Sequence, residues 1–367
     1  MSKNQGVDKI FLFSILVLLA IGFTMFFSAS MGILATTNSA QFSSIIFKQG
    51  FFGIVLGLVA CFVFSKINYK IFKKYALYIF CVSFFITALT FIHRITPIVN
   101  GARRWIFIGG FSFQPVALLN IGFIIYWATW LSFVKDKVSQ IKYGLLPLLG
   151  ILALIGCILV KQPDNASFLV ICLTGVTMFL VAGGKFKDVC ILGLVGIVCL
   201  TILAFTQPYI MSRIHTFINP ADNSLTSGYQ VQQSLIAIGS GEFFGRGLGQ
   251  SIQKYKFLPV ATSDAIFSIL GEELGFVGCI AVLGLFLFFV FRGLRIAVKA
   301  PDTFGGLLVV GIVILITAQS FINIASTLGI IPFSGIPLAF FSQGGTSMLV
   351  MLAMLGIVLN VSKSVKI

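Results

Sequence analysis

Asp264, Glu272 and Glu273 fall close together in the stretch FLPVATSDAIFSILGEELGFVG, where a polar interruption starting at about Gln207 gives way to apolar sequence. Carboxylates at or below a membrane surface are costly, and they persist where they do chemistry or hold a partner. On one continuous helix the step from Asp264 to Glu272 advances about 12 Å and rotates about 80°. The two groups then share a face but stand too far apart for a paired acid/base dyad. Asp264 is left to act alone at the surface, with Glu272 and Glu273 supporting from deeper. A lone carboxylate with outside access can take a proton from a hydroxyl nucleophile or hold a divalent cation. No second carboxylate lies within coordinating distance on this reading, so the metal is left open and no cofactor is assigned.

Three further polar segments could complete such a site. HRITPIVNGARRWIFIGGFSFQP mixes Arg103 and Arg104 with Trp105, Phe107 and Phe113. It reads as an interfacial segment, either an aromatic anchor or a cationic surface for a lipid pyrophosphate. In KQPDNAS, Asp164 stands at a helix start, where a plain N-cap explains it as well as a functional role does. The long loop carries Arg213, Arg246, Lys254 and Lys256; YQVQQS followed by GSGEFFGRGLG suggests a short, partly buried helix and a folded-back turn. Finally, GIIPFSGIPLAFFSQGGTS interrupts an apolar region with Pro332, Gly335, Pro337, Gly344 and Gly345. Irregular backbone at that depth survives only where protein or a cavity satisfies it, so the segment is expected to line the same cavity as Asp264.

The elements that must hold these residues are membrane helices. The 367 residues are 58% hydrophobic and 10% charged, with a mean hydropathy of +1.07, which does not suit a soluble domain. Crossing a hydrocarbon core of roughly 30 Å takes about 20 mostly apolar residues. Ten runs qualify, at about 10–28, 49–65, 76–92, 116–133, 144–160, 168–183, 188–206, 266–291, 305–327 and 346–361. Unbroken runs of this kind are helical, so the expected fold is an all-α polytopic bundle of ten transmembrane helices forming a single domain over 1–367. The large outward loop lies between helices 7 and 8.

The net charge of +15 follows the turns between helices rather than a nucleic-acid surface. With the N-terminus in the cytoplasm, 16 of the 25 basic residues fall inside, which places both termini in the cytoplasm. The first run is long enough to anchor the chain and shows no small-residue cleavage site. The seven cysteines are scattered through apolar runs without metal-ligand spacing, and no phosphate-loop or dinucleotide fingerprint occurs. The 37 glycines suit close helix packing in lipid.

Taken in order, these segments resemble the SEDS family (shape, elongation, division and sporulation) over nearly the whole chain. The resemblance is carried by N-G-A-x-R-W-I and Q-P at 100–115, Q-P-D at 162–164, Y-Q-x-x-Q-S-L at 229–235 and G-x-G-L-G-x-S-x-x-K at 245–254. L-P, T-S-D-x-I-F, G-E-E-L-G and S-x-G-G-T-S complete it. The stretch LGQSIQK is closer to the division-type branch than to the elongation-type branch.

The resemblance implies a peptidoglycan glycosyltransferase that polymerises lipid II at the outer face of the bacterial cytoplasmic membrane, with undecaprenyl pyrophosphate leaving. Asp264 matches the family's loop aspartate and becomes the base on the acceptor sugar 4-hydroxyl. Arg104, Arg213 and Lys254 match basic positions that stabilise the leaving charge, and Trp105 and Gln233 match positions shaping the sugar site. Asp164, Ser342, Gly344 and Gly345 join Glu272 and Glu273 as support. The implied partners are a class B penicillin-binding protein and other division proteins, with the septum as location.

The chain departs from the family pattern at Val116, Ala117 and Asn120, where a Ser-Glu pair and a nearby Lys are usual, and at Val260, Asn165, Ala166 and Gln343. Losing a buried Glu and Lys together leaves neither charge unpaired. A transporter of lipid-linked precursors and a scaffold without chemistry are the competing readings.

Overall fold

The computed structural model describes residues 6–36, 39–92, 96–97, 103–108, 111–219, 227–255 and 257–365. Readings that rest on Lys3, His93, Arg94, Asn100, Gly101, Lys256 and Lys366 lie outside the described residues.

The described chain is almost wholly helical. Its principal helices are α1 (Lys9–Thr36), α2 (Phe42–Lys66), α3 (Ala76–Phe91), α4 (Pro115–Val134), α5 (Leu145–Lys161), α6 (Asn165–Val181) and α7 (Phe186–Thr206). They continue with α8 (Pro208–Ile218), α9 (Ser227–Ser240), α10 (Ile266–Val298), α11 (Thr303–Thr327) and α12 (Gly345–Ser362). Seven of them, α1, α2, α4, α7, α10, α11 and α12, are long and apolar enough to cross a membrane, and α3, α5 and α6 are shorter apolar helices. Each of the ten apolar runs is therefore a helix, seven of them of full crossing length. The interfacial segment after α3 contains a short antiparallel hairpin, β1 (Ile106–Ile108) with β2 (Phe111–Phe113), Ile106 facing Phe113.

Helix α11 is the hub, packed against α4, α6, α10 and α12. At one face, Asp8 accepts from Ile10 and Phe11 to cap α1, pairs with Arg292 at 2.8 Å, and donates its amide to Ser362 at the end of α12. The two ends of the described chain thus meet on one side. Near the other end of α1, Gly32 abuts the carbonyl of Lys254, which puts the long loop on the opposite side.

Glycines bring α2 and α12 close enough for backbone contact. Gly53 faces Gly345, Gly57 faces Leu352, and a Cβ on Gly356 would stand 2.3 Å from the Cys61 carbonyl oxygen. Overpacking against a rigid backbone costs about 1–3 kcal/mol, so Gly356→Ala is expected to lower the melting temperature of the purified protein. Gly150→Ala, with nothing within 4 Å of its Cβ, is the silent control. The same helix pair explains Gln49: α2 widens into a π-helical stretch over Lys48–Val55. Buried there, Gln49 donates to the Ser342 carbonyl at 3.1 Å and accepts from the Gly344 amide at 2.9 Å.

The apolar run at 266–291 lies within one candidate span, and that span is interrupted. Gly275 has φ 67° and ψ −167°, so α10 is two helices meeting at a break. The piece before the break is buried in protein, whereas the longer piece after it exposes Phe276, Val277 and Ile280. A break leaves carbonyls on one side and amides on the other without helical partners, a large cost in lipid. The turn 242–247 supplies them. Arg246 and Gly247 amides donate to the Glu272 and Glu273 carbonyls, and Phe276 and Val277 amides donate to the Glu242 and Phe243 carbonyls, all at 2.9–3.1 Å.

Candidate active site

Asp264 precedes α10, after a turn in which Ser263 donates its amide to the Val260 carbonyl at 3.0 Å. It lines a cavity of about 450 Å³. Its lining includes Arg104 and Trp105 before β1, the start of α4, Tyr209 and Arg213 on α8, Gln230 on α9, Leu315, Ile316 and Gln319 of α11, and the irregular segment from Phe333 to Gly344. Met348, Met351 and Met354 of α12 close its apolar end. The Pro- and Gly-rich segment expected to share the cavity with Asp264 does line it.

The backbone around Asp264 is held on several sides. Asn323 of α11 donates to the Asp264 carbonyl at 2.7 Å and to the Ile336 carbonyl at 2.6 Å. The Ser342 hydroxyl donates to the Ser263 carbonyl and accepts from the Leu338 amide at 2.7 Å. Gln343 joins Thr262 through its amide, 2.8 Å, and its side chain, 2.9 Å. Three polar residues from two elements therefore fix one loop, through its backbone and Thr262.

Two guanidinium groups bear on that carboxylate. Arg213 donates to the Ser334 carbonyl at 3.2 Å and lies over the Tyr209 ring at 4.5 Å. A Cβ on Gly335 would stand 3.6 Å from Asp264 Oδ2 and 3.7 Å from Arg213 Nη2, ordinary contact distances, so base and cation converge on this residue. Its φ of 67° is what favours glycine there. Arg104 is tied to the Q-P-D turn, donating to the Pro163 carbonyl with Nη1 3.8 Å from Asp164 Oδ1. Its Nε is buried without a protein acceptor. Asp164 also caps α6, accepting from the Ser167 amide at 3.4 Å. It is a cap and an ion-pair partner at once.

Burial pushes the Asp264 carboxyl above its ordinary pKa; the Ser263 hydrogen bond, Arg104 and Arg213 pull it back down, and Asp164 pushes it up. Burial lowers the Arg213 guanidinium, opposed by Tyr209, Asp264 and Asp164. The arrangement can remove a proton at Asp264 and stabilise an anion beside it at Arg104 and Arg213. Among the described residues no group of three or more His, Cys, Asp or Glu side chains stands together.

The remaining sequence candidates lie elsewhere. Lys254, expected at the leaving charge, has a fully buried side chain spent on the interior. Its ammonium donates to Glu273 at 2.9 Å, Gly249 carbonyl at 2.7 Å and Ser28 at 3.1 Å. Ser28 donates to both oxygens of Glu273. Glu272 accepts from the Ser251 hydroxyl and from the Ile252 and Gln253 amides, with Arg246 at 3.9 Å. Glu272, Glu273 and Lys254 thus form a second polar cluster that pins the loop to α1 and α10, apart from the cavity lining. Gln233 is half-buried and does not line the cavity; Gln230, three residues earlier, does. Gly344 lines it, while Gly345 packs against the Lys48 carbonyl.

Sequence reasoning passed over Tyr209, Gln230, Asn323, Gln49 and Ser28. Asn323 had a usable signal, an amide inside an apolar run; Tyr209 and Ser28 carry none that separates them from neighbours. At the departure positions, Ala117 and Asn120 line the cavity and Val116 is buried beside it.

Comparisons with known proteins agree over the full length. A family model covering FtsW, RodA and SpoVE, described as cell cycle protein, matches residues 9–367. A probable peptidoglycan glycosyltransferase FtsW from Geobacter sp. (strain M18) is 36% identical over 362 residues, 99% of this chain and 98% of the relative. Stage V sporulation protein E of Bacillus subtilis (strain 168) is 36% identical over 364 residues, again 99% and 98%. Among solved structures, a chain from a peptidoglycan synthase complex superposes with a TM-score of 0.78 at 24% identity, covering 97% of both chains. The rod shape determining protein RodA of Thermus thermophilus follows at 0.70 and 24%, covering 97% of this chain and 96% of its own. These two fix the fold as that of a multi-pass membrane protein, and the full-length sequence match fixes the kinship: the chain belongs to the FtsW/RodA/SpoVE family of cell cycle proteins.

Proposed function

We propose that the chain is a peptidoglycan glycosyltransferase that polymerises lipid II at the outer face of the bacterial cytoplasmic membrane, with both termini in the cytoplasm. The observation that carries this reading is Asp264, a carboxylate on a 450 Å³ cavity with Arg104 and Arg213 bearing on it. The acceptor sugar 4-hydroxyl attacks the donor's anomeric carbon while Asp264 takes its proton. The bond from that carbon to the pyrophosphate oxygen breaks, and the electron pair leaves with undecaprenyl pyrophosphate. Arg213, and Arg104 through its unpartnered Nε, meet the charge that develops there. Trp105 on the cavity wall offers a flat apolar face to a sugar ring.

The names of the relatives support this activity, and they include both division-type and sporulation-type proteins. LGQSIQK favours the division role, at the septum, with a class B penicillin-binding protein and other division proteins as partners. The test is polymerisation of lipid II by the purified chain with its partner. A transporter would instead move headgroups across vesicles without making strands, and a scaffold would keep complementing a depletion strain after Asp264→Asn.

The pH dependence follows from the direction of the Asp264 shift. A general base works deprotonated, so the rate falls as pH drops through its raised pKa, above the ordinary carboxylate value of about 3.9. Arg213 is one of the groups holding that pKa down. Arg213→Gln is therefore expected to move the acid limb of the rate profile to higher pH and to lower the plateau. A limb that stays in place while the plateau falls removes Arg213 from the base's surroundings.

A further inference from the structure

A second cavity, of about 410 Å³, adjoins the first and shares with it Tyr209, Arg213, Gln230 and Phe333. Beyond that common wall its lining is largely apolar, with Phe217 on α8, Val231 and Leu235 on α9, and Ile331 after α11. Among the described residues Arg213 is the one charged residue in the lining. Gln230 adds a buried side-chain Nε2 without a protein acceptor. Opposite Leu235 stands Gly329, whose absent Cβ would lie 3.7 Å from the Leu235 Cδ1. A cation and an unpaired donor at one end, and aliphatic and aromatic walls at the other, match an anionic headgroup on a long apolar chain. Phe217 and Leu235 are exposed on their outer sides, and α8 continues from α7, whose Leu194, Ile197, Leu200 and Phe205 face outward. A long chain entering this cavity therefore has an apolar way out.

We propose that this second cavity holds the pyrophosphate and first isoprene units of a polyprenyl pyrophosphate, the leaving group of the transfer at Asp264. The proposal rests on the glycosyltransfer reading for the ligand's origin. Arg213 faces both cavities, so the pyrophosphate that takes the electron pair from the broken anomeric bond moves into the second cavity without giving up its cation. A bound leaving group there keeps the first cavity clear for the next transfer and makes the lipid product an inhibitor.

A diazirine-bearing polyprenyl pyrophosphate, photolysed on the purified full-length chain, tests this directly. Labelled peptides are expected from α8 and α9, around Phe217, Val231 and Leu235. Inorganic pyrophosphate should compete at least ~10-fold less well than unlabelled polyprenyl pyrophosphate, because it forgoes the apolar burial. Polyprenol, lacking the charge, should compete poorly as well. Leu235→Trp, and independently Val231→Trp, fill the apolar part and should cut labelling by ~10-fold or more. Label confined to the first cavity's α12 wall, Met348 to Met354, overturns the proposal, as does labelling undiminished from wild type in both tryptophan variants. Labelling does not require turnover. A chain that labels in α8 and α9 yet makes no strands overturns the glycosyltransfer reading alone, and one that makes strands but labels elsewhere overturns the second site alone.

Discussion

Asp264→Asn is expected to lower lipid II polymerisation by about 10³-fold, within the range for loss of a positioned general base. The substitution keeps the side chain's shape and its backbone partners. Asn323, Ser342 and Gln343 hold the loop through the backbone of 262–264 or through Thr262, not through the Asp264 carboxylate. The melting temperature should therefore stay near wild type while glycan strands disappear from gels. Asp264→Glu displaces the base by one methylene toward Gly335 and should retain a small part of the activity. An asparagine variant that polymerises at the wild-type rate sinks the base assignment, whatever its stability.

Glu273→Ala should be the most destabilising single change in the loop anchor. It leaves the Lys254 ammonium, which has no exposed surface, without its carboxylate. Breaking a buried pair from one side costs about 3–5 kcal/mol because the surviving charge stays uncompensated. Lys254→Met should cost a comparable amount through the stranded Glu273. In the double variant Glu273→Leu with Lys254→Met neither charge remains, and its cost should fall well below the sum of the two single changes. A double-mutant cycle on thermal or denaturant unfolding in detergent measures this. Costs that simply add would mean that the pair is not coupled. Activity should follow stability here, since the cluster reaches the cavity only through the loop it anchors.

The bundle was legible because each apolar run is long, and lipid allows such a run few conformations other than helix. Asp264, which lines the cavity, stood out as a candidate for the opposite reason, a charge where charge is costly. Lys254 misled because a lysine in a polar loop looks like a cation offered to a ligand. Only folding shows that its side chain turns inward to Glu273 and to Ser28, the latter 226 residues away in the chain. Gln233 and Gln230 differ by less than one helical turn, and the choice between them depends on a rotation of α9 that its mixed composition does not set. The break at Gly275 was invisible because a glycine in an apolar run reads equally well as a packing contact. What makes it a break is the turn 242–247, and no local pattern links the two.

That break also bears on the order in which the chain can be assembled. Unpaired carbonyls and amides at mid-helix are expensive in hydrocarbon, so the two halves of α10 cannot settle there before turn 242–247 is in place. The turn precedes the helix in the chain, and synthesis runs from the N-terminus, so its groups emerge first and are waiting when α10 arrives. A circular permutant that delivers α10 ahead of residues 242–247 should insert poorly, even though every contact of the finished protein is still encoded in it.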